Sequence, residues 1–215
     1  MVSINKPPKK EEEVIRMAKP SIRAFKARDK DFTRCLSHAG HLSREQALEM
    51  GMNPSRIHTY QAENYIERTY VYNKSLKMQE ECYFLTEKGR RLASDMMGID
   101  SFYRSNGATH DVQLARIYGE LSLEQQRSWI TEKELRGVFQ EKMDDLRVQG
   151  QDKLAMTLEK QLKEGRMSPG DGAYLAEDGT IVVIEIITDN YGKAEIQAKE
   201  EFVKAIGGQI EISRA

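Results

Sequence analysis

The sequence predicts an α+β protein built from two unlike halves. In the first half, helical segments with capping signals are followed by two β-rich runs. In the second half, β-rich runs surround one amphipathic helix near the end of the chain. Charge divides in the same way: residues 1–104 carry 19 Lys and Arg against 14 Asp and Glu, whereas residues 105–215 carry 14 against 20. Only the first half therefore suits a polyanionic partner.

The expected domain boundaries follow these changes in composition. Residues 1–20 contain a Pro-Pro-Lys-Lys tract, an acidic run and a final proline, which predicts a flexible N-terminal arm. The first domain is expected over 21–100, a glycine-containing joint over 101–109, and the second domain over 110–215.

Capping signals define the helices of the first domain. The segment that ends at Gly40 has apolar residues at helical spacing. Ser43 followed three residues later by Gln46 is a capping-box signature. Asn53 before Pro54 predicts a cap and a first helical position, so a third helix starts there.

After the third helix, two β-rich runs (YIERTYVY and ECYFLT) flank a polar basic loop, and a helix (TEKGRRLASDMM) closes the domain. This order predicts a winged helix-turn-helix whose third helix enters a DNA major groove. Winged helices also dock proteins or form dimers, but the positive charge and the polar outward face favour DNA. Tyr65, Tyr70 and Tyr72 are expected to pack in the core or at the sheet edge rather than to stack on bases.

The predicted DNA contacts lie on the outward faces of the second and third helices and on the loop between the β-rich runs. Arg56 stands at the centre of this expectation. The complete set is Arg44, Ser55, Arg56, His58, Thr59, Lys74 and Lys77. His38 and His41 have no evident partner in the sequence, so we expect them at a helix end near solvent rather than at a metal.

The second domain is predicted in the order α-β-(excursion)-β-β-α-β. The segment QRSWITEKELR alternates well enough for a strand, and residues 139–165 are polar and helical around Gly150. The run IVVIEII is apolar on both faces, which indicates a central strand covered by helices. This is the core order of restriction-endonuclease-like nucleases of the PD-(D/E)xK class.

Two carboxylates of the second domain are expected to meet. Asp171 and Glu185 flank an Asp178-Gly179 turn, which is a strong hairpin signal. A hairpin places both side chains on neighbouring strands, within reach of one divalent cation.

Three stretches resemble the replication-relaxation family, which is found on plasmids and other mobile elements. They are YFLTEKGRRLA, HDVQLA and the series MSPGDGAYL, VVIEI and AKEEF. The resemblance covers most of residues 30–212 and implies a winged helix joined to a nuclease-like domain. This chain departs from the family's Pro-Asp pair, because Gly170 separates Pro169 from Asp171.

In an active nuclease of this class, an Asp and a Glu hold a metal that activates water, and a lysine two residues after the Glu stabilises charge on the phosphate. Ile187 occupies that lysine position, a departure that predicts a catalytically degenerate domain. Lys193 or Lys199 on the next helix are candidate replacements, and Lys199 matches the helix lysine of the family. His110 and Asp111 are candidates for a further ligand or base. A Glu185 ion pair with Lys199 or His110 would satisfy the buried carboxylate without catalysis.

The leading expectation is a cytoplasmic protein of a plasmid or mobile element that binds double-stranded DNA in a sequence-specific manner. It would control transcription, replication or conjugative transfer. The nuclease-like domain would then serve interaction or dimerisation, with plasmid replication or transfer proteins as possible partners and no cofactor. The alternative is a metal-dependent nuclease or nickase that uses Mg²⁺ or Mn²⁺ with Asp171, Glu185 and Lys199. A third reading is an adaptor in which both domains dock proteins. The two isolated cysteines indicate reduced thiols, and the absence of an eighteen-residue apolar run predicts no membrane association.

Overall fold

A computed structural model describes residue 22 and residues 24–73, 77–104, 107–189 and 191–215. Helices and two separate sheets make up these residues, so the predicted α+β class is confirmed. The predicted N-terminal arm lies outside the described residues. In the part of the chain that is described, none of the helices is both long and apolar enough to cross a membrane. Cys35 and Cys82 are buried free thiols, as expected.

The N-terminal half consists of four helices and one three-stranded sheet within its described residues. In chain order the elements are α1 (Ala27–Ala39), β1 (His41–Ser43), α2 (Arg44–Glu49), α3 (Pro54–Ala62), β2 (Ile66–Asn73), β3 (Met78–Leu85) and α4 (Glu87–Met97). The sheet has the order β1-β3-β2, and both of its strand pairs are antiparallel.

The predicted caps form as the sequence indicates. The Ser43 hydroxyl accepts a hydrogen bond from the Gln46 N–H at 3.2 Å, and the Gln46 side chain accepts one from the Ser43 N–H at 2.8 Å. The Asn53 side chain accepts a hydrogen bond from the Arg56 N–H at 2.8 Å, with Pro54 at the first helical position. These local bonds satisfy amide groups that a helix start would leave unpaired, and they fix where α2 and α3 begin.

The C-terminal half contains a four-stranded sheet. Its elements are α5 (Ala108–Glu120), α6 (Leu123–Arg127), β4 (Ile130–Thr131), α7 (Glu132–Val148), α8 (Asp152–Lys163), β5 (Gly172–Leu175), β6 (Ile181–Ile187), α9 (Lys193–Ile206) and β7 (Gln209–Arg214). The strand order is β4-β5-β6-β7. The first two pairs are antiparallel, and α9 crosses over so that β7 runs parallel to β6.

One predicted strand is largely wrong. QRSWITEKELR forms the end of α6, a two-residue strand and the start of α7. The physical reason is capping: Thr131 accepts a hydrogen bond from the Glu134 N–H, while the Glu134 carboxylate accepts from the Thr131 N–H at 2.7 Å. This capping box starts a long helix and overrides the apolar alternation. The helical excursion after it is confirmed as α7 and α8, which separate at Gly150.

Helices cover both faces of β6, as its apolar sequence predicts. Val182, Ile184 and Ile186 face a core that continues through α5 into the N-terminal half. Val183, on the opposite face, packs in a second core formed with α7, α8 and α9. Helix α5 also contacts α1 and β1, so one apolar core spans the predicted domain boundary.

Candidate functional site

Asp171 and Glu185 lie side by side on neighbouring strands, as predicted. Gly172 pairs with Ile184 in the β5–β6 register, and the Asp171 N–H donates to the Ile184 carbonyl at 2.9 Å. The turn at Asp178-Gly179 closes the hairpin, with Gly179 at a φ of 82°. Both carboxylates are buried, and Glu185 is only 1% exposed.

The glycine between Pro169 and Asp171 has a steric reason. A Cβ atom at Gly170 would meet the Val183 side chain and would lie 2.7 Å from the Ile184 carbonyl oxygen. The backbone before Asp171 therefore runs too close to β6 for any side chain. The interrupted Pro-Asp pair is thus an adaptation to the tight approach of the two strands.

Replacing Gly170 by alanine should lower the free energy of unfolding by about 1–3 kcal/mol, because the new methyl group forces the two strands apart. The matched control is Gly137→Ala inside α7, where a Cβ would meet nothing within 4 Å. That control should gain up to about 1 kcal/mol from helix propensity. Chemical denaturation of both variants measures the effect. A stable Gly170→Ala protein would contradict the steric account.

Lys199 brings a positive charge to Glu185, although the residue two positions after Glu185 is Ile187. Its Nζ lies 3.0 Å from Oε2 of Glu185 and donates a hydrogen bond to the Pro169 carbonyl at 2.7 Å. Ile187 is buried as an apolar residue. The ammonium thus reaches the carboxylates from α9, which packs on the same face of the sheet as Glu185. Lys193, the other candidate, is exposed.

His110 and Asp111 extend the site toward the N-terminal half. His110 Nε2 lies 3.1 Å from Oδ2 of Asp171, and His110 Nδ1 lies 3.3 Å from Oδ1 of Asp111. Oδ2 of Asp111 then lies 2.7 Å from Nδ1 of His41, on β1. We call His41, Asp111, His110 and Asp171 the His–Asp chain. It joins the two sheets through alternating basic and acidic side chains.

Two expectations for histidines are therefore wrong. His41 is not at a free helix end but pairs with a carboxylate 70 positions later. His38 packs against the rings of Tyr118 and Trp129, and burial lowers its pKa to about 4. His38 does lie in the last turn of α1, but its ring is packed away from solvent because α5 covers this side of α1.

Two tyrosines complete the site, and sequence reasoning missed both. Tyr103 donates its hydroxyl proton to Oδ1 of Asp171 at 3.3 Å, and Tyr191 donates to Oε1 of Glu185 at 2.8 Å. Tyr103 falls in the predicted joint and Tyr191 in the turn after β6. The sequence carries no spacing signal that ties either residue to a carboxylate. The Ile186 N–H also donates to Oδ2 of Asp171, at 2.8 Å.

The electrostatics of the site shift two pKa values upward. Burial alone would lower the pKa of His110, but the Asp111 and Asp171 carboxylates stabilise the charged imidazolium and raise the pKa to about 9. Burial raises the pKa of Glu185, and the Asp171 charge adds to this. Lys199 and Tyr191 lower the pKa of Glu185 but offset only part of this increase, so the pKa is about 7. At neutral pH the site therefore holds a charged His110 and a partly protonated Glu185.

A cavity of about 420 Å³ opens onto His110, Asp171 and Lys199. Polar side chains of neighbouring elements form the rest of its wall. The lining residues are His110, Glu132, Ser168, Pro169, Gly170, Asp171, Thr188, Tyr191 and Lys199. Its walls therefore offer both cationic donors and carboxylate acceptors to a bound molecule.

The donor set fits a small hard cation with few protein ligands. Mg²⁺ is often held by one or two carboxylates, with waters and substrate phosphates completing its coordination. Within the described residues, Oε2 of Glu185 is buried without a hydrogen bond, although the Lys199 ammonium is near. The same residues contain no group of three or more His, Cys, Asp or Glu side chains suited to a metal. Asp171 and Glu185 are the two carboxylates of this site that could hold such an ion.

The predicted DNA contacts are distributed unevenly. Arg44, Ser55, His58 and Lys77 are exposed, and Thr59 is half-buried. Lys74 lies outside the described residues.

Arg56 differs from expectation, because its guanidinium does not point outward. It lies 2.8 Å and 2.9 Å from the two carboxylate oxygens of buried Asp29 and also donates to the Ala24 carbonyl. Its donors are therefore committed to α1 and the segment before it.

No family model, curated protein or solved structure matches the chain significantly. Membership of the replication-relaxation family therefore stays a prediction from the quoted motifs.

Proposed function

We propose that this chain binds double-stranded DNA through its N-terminal half. The observation that carries the proposal is the arrangement of α1, β1, α2, α3, β2 and β3, with the sheet in the order β1-β3-β2. A helix pair joined by a tight turn, followed by a β-hairpin, is the arrangement in which the second helix of the pair enters the major groove.

The exposed residues of this half have the chemistry for both kinds of DNA contact. Ser55 and His58 share the exposed stripe of α3, where short polar side chains can reach base edges. Arg44 at the start of α2 and Lys77 at the hairpin turn are exposed cations suited to phosphates. Arg56 is not needed for this surface, because its guanidinium holds Asp29.

The test is fluorescence anisotropy with duplex DNA over a range of salt concentrations. Affinity should fall steeply with salt, and Arg44→Ala or Lys77→Ala should each reduce the salt slope by about 1. His58→Ala should instead change sequence preference. Lys153→Ala, which removes an exposed lysine from α8, is the matched control and should change nothing. Salt-independent binding, or no binding to any duplex, would refute the proposal.

A second candidate function is metal-dependent cleavage of the bound DNA. The specific observation in its favour is that Asp171 and Lys199 line one cavity, and that the Lys199 ammonium, supplied by α9, lies 3.0 Å from Oε2 of buried Glu185. The sheet order β4-β5-β6-β7 with its single parallel pair agrees with the PD-(D/E)xK topology. A bound Mg²⁺ or Mn²⁺ would supply an activated water and neutralise phosphate charge. Lys199 would stabilise the charge that develops on the scissile phosphate, and the His–Asp chain would hold Asp171 in place.

Supercoiled plasmid with Mg²⁺ or Mn²⁺ tests the second candidate. Nicking by the parent protein should disappear in Glu185→Gln and fall by about 10²–10³-fold in Lys199→Ala. The control is Glu177→Gln, an exposed acid on the turn of the same hairpin. If the parent and all variants fail equally to nick DNA, the second candidate function is refuted. The mobile-element source and the process served stay predictions in either case.

A further inference from the structure

The outer face of β2 carries aromatic side chains that are exposed rather than packed in a hydrophobic core. Arg68, Tyr70 and Tyr72 alternate along the strand, so their side chains share one face. Tyr70 is 52% exposed and Tyr72 is 58% exposed. Both lie on β2, an edge strand of its sheet, so the expected edge position is confirmed, while packing in the core is wrong for both. Ile66, on the same face, is buried, so the covered part of the strand ends before Arg68.

This face, which we call the tyrosine face (Arg68, Tyr70 and Tyr72), is ordered without a partner. The Arg68 guanidinium lies over the Tyr70 ring, 5.5 Å from its centroid. The strand opposite places Glu81 and Gln79 across from Tyr70 and Tyr72. Oε1 of Glu81 accepts a hydrogen bond from the Tyr83 hydroxyl at 2.9 Å and lies 3.7 Å from Nη1 of Arg68. The Glu81 carboxylate is therefore paired with these two neighbours. Both rings are therefore more than half exposed, and the Arg68 guanidinium lies over one side of the Tyr70 ring.

The spacing of alternate residues along the strand is compatible with base stacking. Such residues are about 6.6–6.8 Å apart. That is about twice the 3.4 Å rise between stacked bases. Base faces are accessible in single strands and are hidden inside a duplex. Exposed Lys77, at the end of the same hairpin, adds a cation for the backbone phosphates.

We propose that the tyrosine face binds single-stranded DNA, with bases stacked on Tyr70 and Tyr72 and the Arg68 guanidinium supporting the stack. This site is separate from the α3 surface assigned to duplex DNA. It does not require that surface to function. A protein that holds both forms would keep a locally opened strand beside its duplex site.

Anisotropy of a labelled oligo-dT of about 12 nucleotides tests the proposal. Tyr70→Ala and Tyr72→Ala should each raise the Kd by about 5- to 150-fold, because one stacking ring is lost. Tyr70→Phe and Tyr72→Phe should bind like the parent, since stacking uses the ring rather than the hydroxyl. Met78→Ala is the matched control: Met78 is 56% exposed on the opposite face of the same hairpin.

Duplex binding measured in parallel separates this proposal from the preceding one, because the tyrosine variants should keep the duplex affinity of the parent. Failure of the parent to bind oligo-dT would overturn the proposal. Equal affinity of the alanine variants and the parent would also overturn it. So would a change in oligomeric state in the tyrosine variants with unchanged oligo-dT affinity, which would identify a contact between copies of this chain.

Discussion

In metal-free buffer, the free energy of unfolding of the parent should fall by about 3 kcal/mol as the pH rises from 4.5 to 7. The Glu185→Gln variant should not show this loss. The pKa of Glu185 is raised from 4.5 to about 7 in the folded protein, and the side chain is only 1% exposed. Between these pH values the folded state holds a proton that the unfolded state has released. Stability contributed by this group therefore falls as pH rises from 4.5 to 7. Each pKa unit corresponds to about 1.4 kcal/mol.

His110 should cause a second decrease in the free energy of unfolding, at higher pH than the decrease caused by Glu185. Its pKa is raised from 6.5 to about 9, so its contribution is fully present below 6.5 and is lost as pH rises through 9. The difference in stability between the parent and His110→Gln should shrink by about 3 kcal/mol over that range. The shift depends on Asp111 and Asp171, which face His110 from its own helix and from β5.

The measurement is chemical denaturation of the parent and both variants at several pH values with a chelator present. Differences between proteins are needed, because His38 acts in the opposite direction in acid. Burial lowers its pKa to about 4, so stability from neutral His38 is lost as pH falls from 6.5 toward 4. A parent-minus-variant curve that is flat with pH would contradict the assigned pKa of that residue.

In the Arg56→Ala variant, the free energy of unfolding should fall by about 3 kcal/mol. Asp29 is 0% exposed, and Arg56 binds both of its carboxylate oxygens. Burial would raise the pKa of Asp29, but Arg56 and the Lys26 N–H hold that pKa below its ordinary value. Removal of the guanidinium leaves a buried charge without its partner, which is among the most destabilising single changes.

A double-mutant cycle with Asp29→Asn separates the ion pair from general packing. The double variant should be more stable than Arg56→Ala alone, because the uncompensated charge is gone. Arg91→Ala is the control, since Arg91 and Glu87 form an exposed pair on α4 that should contribute less than about 1 kcal/mol. Equal losses in Arg56→Ala and the control would exclude the buried-pair account. If Arg56→Ala shows the larger loss of stability, loss of DNA binding in that variant reports unfolding rather than a missing base contact.

Local signals in the sequence predicted the α+β class, two helix starts and one hairpin turn. The caps at Ser43 and Asn53 and the turn at Gly179 depend on bonds between residues a few positions apart, and each formed as predicted. The error at residues 126–136 was also local. Thr131 and Glu134 form a capping box, and a helix starts there although the apolar residues alternate as in a strand.

The site was predictable only in part, because its remaining contacts are long-range. Asp171 and Glu185 meet through a hairpin that the sequence reveals. The His41–Asp111 pair joins residues 70 positions apart, and no local pattern encodes it. The exposure of Tyr70 and Tyr72 on the edge strand was not predictable for a related reason. Alternation shows which side chains share a face, but not whether another element covers that face.

The shared core around α5 has a consequence for how this chain can be divided. Leu114, Ala115 and Tyr118 pack with the cores of both sheets, and the His–Asp chain crosses at the same place. A fragment that ended after α4 would expose the apolar surface of α1 and leave His41 without its carboxylate. The joint is therefore a poor place for proteolytic excision or for exchange of modules by recombination. The halves have different surfaces, but one apolar core runs through both of them.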